Sequence, residues 1–146
     1  MNKRSLMYFS ALFFLFLVAL LIFTTQKEGN QSMFKNINVE EARKMVKEND
    51  VFVLDVRTPA EFNSSHLEGA TLIPVNNAFG SNLSSELLLE ARKNEVPENK
   101  KVLVYCRTGH RSTAASTILA KAGYSQVYNM GGGINAWLEL GYPVVN

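Results

Sequence analysis

The chain is poor in the residues that build covalent and metal staples. It has 146 residues but one cysteine, Cys106, and two histidines, His66 and His110. One cysteine excludes an internal disulfide and a cysteine-only zinc site, and two histidines add too little for a protein metal cage, so no metal is expected. Charge of one sign is also lacking. The net charge of +2 comes from Lys3 and Arg4, and setting these aside leaves 13 basic and 13 acidic side chains. A near-neutral domain argues against a nucleic-acid footprint. There is no internal repeat and no spaced glycine-rich fingerprint with a lysine, so Gly131-Gly132-Gly133 reads as a turn that needs free backbone angles, leaving room beside a neighbouring loop.

The one long apolar run is N-terminal. Leu6 to Phe23 carries no charge over 18 residues, behind Lys3 and Arg4, and Thr24-Thr25-Gln26 is a poor cleavage site. Residues 1–23 therefore read as an uncleaved signal anchor that holds the rest of the chain outside the cytoplasm by the positive-inside tendency. The alternative is a cleaved signal peptide and a secreted or periplasmic protein. Residues 24–32 are a polar tether, and 33–146 have the length and composition of one globular domain.

Within that domain, helical and strand patterns alternate. Asn38 with Glu41 forms a capping box ahead of a helix whose inner face is Val39, Ala42, Met45 and Val46, ending near Asn49-Asp50. Val51–Leu54 is an apolar run typical of a strand covered on both faces. Thr58 as N-cap and Pro59 at the first position start a short helix. Residues 70–73 form a strand ended by Pro74, and a Leu-rich helix runs from Ser84 or Ser85 to about Asn94. Residues 102–105 form a further strand. The helix after Ser112 places Ala114, Ala115, Ile118, Leu119 and Ala122 on one face before Gly123, and 126–130 is the last strand. A final helix carries Ile134, Ala136, Trp137 and Leu140 and stops at Gly141. This alternation predicts an α/β fold with a mainly parallel sheet.

Cys106-Arg107-Thr108-Gly109-His110-Arg111-Ser112 joins the strand at 102–105 to the next helix. A thiol there meets inward-facing N–H groups, the positive end of a helix dipole and two arginines, all of which favour the thiolate. Cys106 is therefore a candidate nucleophile rather than a buried structural cysteine. Functional groups collect at the C-terminal ends of parallel strands, where Asp55 and Arg57 also fall. They read either as a surface ion pair or as a brace for the cysteine loop through an Asp55–arginine bridge. His110 is read as a solvent-facing loop residue or an acid, His66 as a packed structural histidine, and Trp137 as core.

Leu54-Asp55-Val56-Arg57, Glu61-Phe62 with His66-Leu67 and Gly69-Ala70, Ile73-Pro74, Tyr105-Cys106-Arg107 with Gly109 and Arg111-Ser112, and Gly131-Gly132 with Ala136-Trp137 occur in an order that resembles the single-domain rhodanese, or thiosulfate-sulfurtransferase-like, family over roughly Phe34 to Val144. Ser65 stands where that family commonly carries glycine. The resemblance implies a three-layer α/β/α sandwich without a cofactor. It implies that Cys106 takes a sulfane sulfur from a small anionic donor such as thiosulfate and passes it to cyanide, a small thiol or a protein thiol. Arg107, Thr108, Gly109, His110, Arg111 and Ser112 would cradle the persulfide, with Arg111 turned either to substrate or to Asp55. Phosphatase relatives separate cysteine and arginine by five residues, and only four intervene here. A phosphatase or arsenate-reductase-like enzyme, a non-catalytic binding module and a redox sensor remain the alternatives.

Overall fold

A computed structural model of the chain describes Tyr8 and residues 13–18, 33–78 and 81–146. The chain divides into two compact units, residues 1–32 and 33–146. Most of the apolar N-terminal run and all of the tether before Met33 lie outside the described residues; residues 13–18 are helical, and among the described residues no helix is long and apolar enough to cross a membrane.

The second unit is built on five strands, β1 (Lys35–Ile37), β2 (Val51–Asp55), β3 (Thr71–Leu72), β4 (Lys101–Tyr105) and β5 (Val127–Met130). They pair in the order β1-β5-β4-β2-β3, and every pair is parallel. Parallel neighbours need crossover connections. These carry α1 (Val39–Met45), α2 (Pro59–Ser64), α3 (Leu89–Arg92) and α4 (His110–Lys121), while α5 (Gly133–Glu139) follows β5. Side chains alternate across a strand, so β4 feeds two cores. Val102 and Val104 pack with Leu54, Leu89, Ala115 and Leu119 on the α3/α4 side. Leu103 and Tyr105 pack with Val39, Ala42, Met45, Ile134 and Trp137 on the α1/α5 side. Helices on both faces make the expected three-layer sandwich and explain why the central strands read as unbroken apolar runs.

The predicted capping box of Asn38 with Glu41 is present, and Thr58, expected as an N-cap, forms a second box with Glu61. Four details differ from expectation. β1 had no apolar pattern, because Lys35 and Asn36 are exposed on an edge strand and only Ile37 is buried. Helix α1 stops at Met45 instead of Asn49-Asp50, where the N–H groups of Lys47 and Glu48 turn back to Lys44 and Met45. The Leu-rich stretch is broken into a 3-10 turn at Ser85–Leu87, α3, and a second 3-10 turn at Lys93–Glu95. Leu88 is extended between the first two pieces, which lets the Leu89 N–H reach Pro74 O at 2.8 Å while its side chain enters the core. In α4 the buried stripe is Ser112, Ala115, Ser116 and Leu119, and Ala114 and Ala122 face outward.

Candidate active site

Strands β2 and β4 end in register, Asp55 opposite Tyr105, so the chain leaves the sheet side by side at Val56 and Cys106. Asp55 and Arg57 are both buried. The Arg57 Nε donates to both Asp55 oxygens at 3.0 and 2.9 Å, and its Nη2 donates to Oδ2 at 2.6 Å and to Ser65 O at 2.6 Å. Burial opposes the guanidinium charge, but the hydrogen bond and charge of Asp55 outweigh it and hold the Arg57 pKa above its usual value. The guanidinium lies over the Tyr105 ring at 5.5 Å, and the Tyr105 hydroxyl accepts the Leu67 N–H at 3.1 Å. Burial chiefly, aided by Asp55, raises the Tyr105 pKa. The Asp55–arginine bridge therefore exists, but it closes two residues on and ties the end of β2 to the end of α2.

Arg111 pairs with Glu61, a partner named in neither of its two expected orientations, and Arg57 is the arginine on Asp55. The Arg111 guanidinium meets Glu61 end-on, Nη1 to Oε2 at 2.8 Å and Nη2 to Oε1 at 2.7 Å. The Glu61 hydrogen bond raises the Arg111 pKa against the opposing effect of burial, with the nearby Cys106 adding to the rise. Glu61 also closes the α2 capping box, its Oε2 accepting the Thr58 N–H and hydroxyl, both at 3.0 Å. Burial works against its charge, yet Arg111 and Thr58 prevail and its pKa falls from the usual 4.5 to about 2. The Thr58-x-x-Glu61 spacing signals the cap; nothing in the sequence signals a partner 50 residues away.

Cys106 is 1 % exposed. Its Sγ accepts the Gly109 N–H at 3.1 Å, and Ser112 Oγ stands 3.5 Å away. Of the donors expected around the sulfur these are the two in contact with it. Gly109 has φ +100°, which disfavours any L side chain there, and a Cβ would come into contact with Gly132 N at 3.4 Å. The loop is held from behind by the first turn of α5, where Ile134 N donates to Cys106 O at 2.9 Å and Asn135 N to Arg107 O at 3.1 Å. Such close approach depends on the glycine run. Gly133 has φ +60°, and an added Cβ would lie 2.4 Å from Cys106 O. Helix α4 begins at His110, so its N-terminus, the positive end of the helix dipole, follows directly on the cysteine loop.

A cleft of about 600 Å³ opens over this loop, lined by Arg107, Thr108, His110, Arg111, Asn135 and the segment Asn76–Ala78. Among the described residues no carboxylate is in that lining. Arg107 and His110 are exposed, and among the described residues the Arg107 side chain makes no ion pair. Asn77 holds its own segment in place, with Nδ2 donating to Leu83 O at 2.8 Å and Oδ1 accepting Leu83 N–H at 2.6 Å. The three asparagines were missed in the sequence because isolated amides carry no spacing signal. Asp55 and Arg57 lie outside the cleft and act on the loop only through the backbone they brace. His66 is structural, its Nδ1 donating to Phe62 O at 3.0 Å with its ring stacked on Phe62. Trp137 is core, with Nε1 donating to Pro143 O at 2.9 Å.

Comparison with known proteins agrees with this geometry. Residues 38–140 match the family model described as a rhodanese-like domain. A sulfurtransferase of Allochromatium vinosum is 36% identical over 96 residues, covering 66% of this chain and 79% of that protein. The chloroplastic thiosulfate sulfurtransferase 16 of Arabidopsis thaliana is 37% identical over 91 residues, covering 62% and 76%. Among solved structures, a rhodanese-related protein from Thermoplasma volcanium superposes with a TM-score of 0.64 at 32% identity, covering 77% of this chain and 98% of that one.

Proposed function

The chain belongs to the rhodanese-like domain family, and on that premise we propose that it is a sulfurtransferase moving a sulfane sulfur from thiosulfate or a similar anion, through a persulfide on Cys106, to a thiol or cyanide. The observation that carries this reading is the Cys106 sulfur itself. It is buried at the start of a tight loop, receives a backbone N–H, and adjoins a cleft bearing Arg107. The thiolate attacks the outer sulfur of the donor, the donor S–S bond breaks, and sulfite leaves with the electron pair. The persulfide anion is then stabilised by the Gly109 N–H, a fixed donor that needs no reorganisation, with the Ser112 hydroxyl in reach. The acceptor attacks the terminal sulfur and the Cys106 thiolate is restored. Arg107 draws both anions to the cleft, while Arg111, committed to Glu61, anchors the loop to α2. With four residues between Cys106 and Arg111, the ring suits a sulfur better than a tetrahedral oxyanion, which favours sulfur transfer over phosphatase or arsenate chemistry.

Thiosulfate treatment should add one sulfur atom to the mass of the protein, and cyanide should then release thiocyanate; Cys106→Ser should do neither. Failure to take up sulfur from any donor, together with hydrolysis of a phosphate ester, would overturn the reading. For the N-terminal run Leu6–Phe23 we retain the anchor with the domain outside the cytoplasm, on its length, lack of charge and the Lys3-Arg4 flank. Salt-resistant membrane association with external protease sensitivity supports it, and a soluble product starting near residue 25 refutes it.

A further inference from the structure

Gly109 serves the loop at both of its backbone atoms. Its N–H donates to Cys106 Sγ, and its carbonyl oxygen receives three donors: Thr113 N at 3.1 Å, Thr113 Oγ1 at 2.9 Å and Ser112 Oγ at 3.0 Å. A carbonyl oxygen has two lone pairs, so one donor is surplus. Ser112 is the donor with somewhere else to go, because its single hydroxyl proton can turn to Cys106 Sγ, 3.5 Å away. Thr113 is held where it is. Its Oγ1 already accepts Nδ2–H of Asn129 at 3.2 Å, which directs its own proton to Gly109 O. Asn129 is buried in β5, with Nδ2 also donating to Asn36 Oδ1 at 2.8 Å. Its Oδ1 is buried without a partner among the described residues. An apolar side chain would avoid that cost, about 1–3 kcal/mol, so the position favours stability less than it favours an amide donor aimed at Thr113.

We propose, taking Cys106 as the nucleophile of the function proposed above, that Thr113 is a positioning residue, oriented by Asn129, whose hydroxyl satisfies Gly109 O and so releases the Ser112 hydroxyl to donate to the Cys106 sulfur when that sulfur becomes an anion. While Cys106 is a thiol, the Ser112 O–H rests on Gly109 O. As the thiol proton leaves to solvent, the O–H rotates to the sulfur and the two Thr113 donors keep the carbonyl paired. Without Thr113 the same rotation would strip Gly109 O of one of only two donors, and the anion would compete with a buried carbonyl for one proton.

The test is the pH dependence of iodoacetamide alkylation of the full chain, which reports thiolate without any sulfur donor and is unambiguous because Cys106 is the only cysteine. Ser112→Ala should move the alkylation midpoint up by about one pH unit, the effect of losing one hydrogen bond to an anion. Thr113→Val should move it up by about half a unit, and Thr113→Ser should restore it. In the Ser112→Ala background, Thr113→Val should add nothing, since its effect passes through Ser112. Arg107 and His110 in the loop, Arg111 on α4, Glu61 on α2 and the Asp55–Arg57 pair are the charged and titratable groups around the sulfur, and all are unchanged across the set. A Thr113→Val shift of equal size with and without Ser112, or no shift at all, would overturn the proposal; Thr113→Ala carries the same arms if the valine variant does not fold. A chain that shows the shift but never takes up sulfur would refute the sulfurtransferase reading and leave this arrangement standing.

Discussion

Replacing Gly133 by alanine tests how tightly the cysteine loop is clamped against α5. Two costs combine. At φ +60° an L-residue sits in left-handed backbone, which costs about 1–2 kcal/mol. The new methyl would also lie 2.4 Å from Cys106 O and 2.6 Å from Arg107 C and O, all of them backbone atoms that cannot swing aside as a side-chain end can. Relieving the overlap requires α5 and the loop to part by roughly 1 Å. That movement stretches the 2.9 and 3.1 Å bonds from Ile134 N and Asn135 N out of useful range, at about 0.5–1.5 kcal/mol each. Together the loss is about 2–5 kcal/mol. Gly141→Ala is the matched control, because Gly141 has φ +68° and open space where the methyl would go; it should lose only the backbone cost, about 1–2 kcal/mol. Urea unfolding of both variants, with unchanged slope, measures the difference. Sulfur uptake should collapse in Gly133→Ala and survive in Gly141→Ala. If the two variants lie within about 1 kcal/mol of each other, below the two hydrogen bonds at stake, the clamp does not exist as described.

Three further outcomes follow from charges around the site. Because the folded pKa of Glu61 is about 2, below its usual 4.5, its stabilisation is complete above the higher value and is lost as pH falls towards the lower one; Glu61→Gln should flatten the stability profile in that window and lose on the order of 2 kcal/mol at neutral pH, read by thermal melts across pH. Asp55→Asn leaves the buried Arg57 charge without its counter-ion and should lose about 3–5 kcal/mol in urea unfolding, whereas a loss below about 1 kcal/mol would mean that Arg57 finds another partner. Arg107→Gln should lower kcat/KM for thiosulfate about 10-fold at low salt, with the gap closing at high salt; a salt-independent effect would assign Arg107 a contact role instead of a steering one.

What could be read from the sequence was whatever had a local cause. Strands β2 and β4 announced themselves because both faces are covered, so no polar residue interrupts Val51–Leu54 or Val102–Tyr105. The caps at Asn38 and Thr58 lie within four residues of their partners. The loop from Cys106 to Ser112 was legible for the same reason, being a strand end, a glycine turn and a helix start in succession. Contacts chosen by the fold were not. Glu61 and Arg111 meet only because β2 and β4 are neighbours in the sheet, and an arginine in a sequence gives no sign of which carboxylate it takes. Asn129 looked like one more strand residue, since its role depends on Thr113 lying across from it on α4. The edge strand β1 was invisible because one buried residue makes no pattern.

The clamp between α5 and the cysteine loop also sets an order of events in biosynthesis. All seven loop residues emerge before β5 and α5 are made, yet the carbonyls of Cys106 and Arg107 find their donors only at Ile134 and Asn135. Until that last helix docks, the nascent chain carries the thiol on a segment whose two carbonyls lack these donors. The final geometry of the loop is thus tied to the docking of α5, and a ribosome paused before Ile134 would hold a protein with every residue of the loop and neither of the two bonds that clamp it.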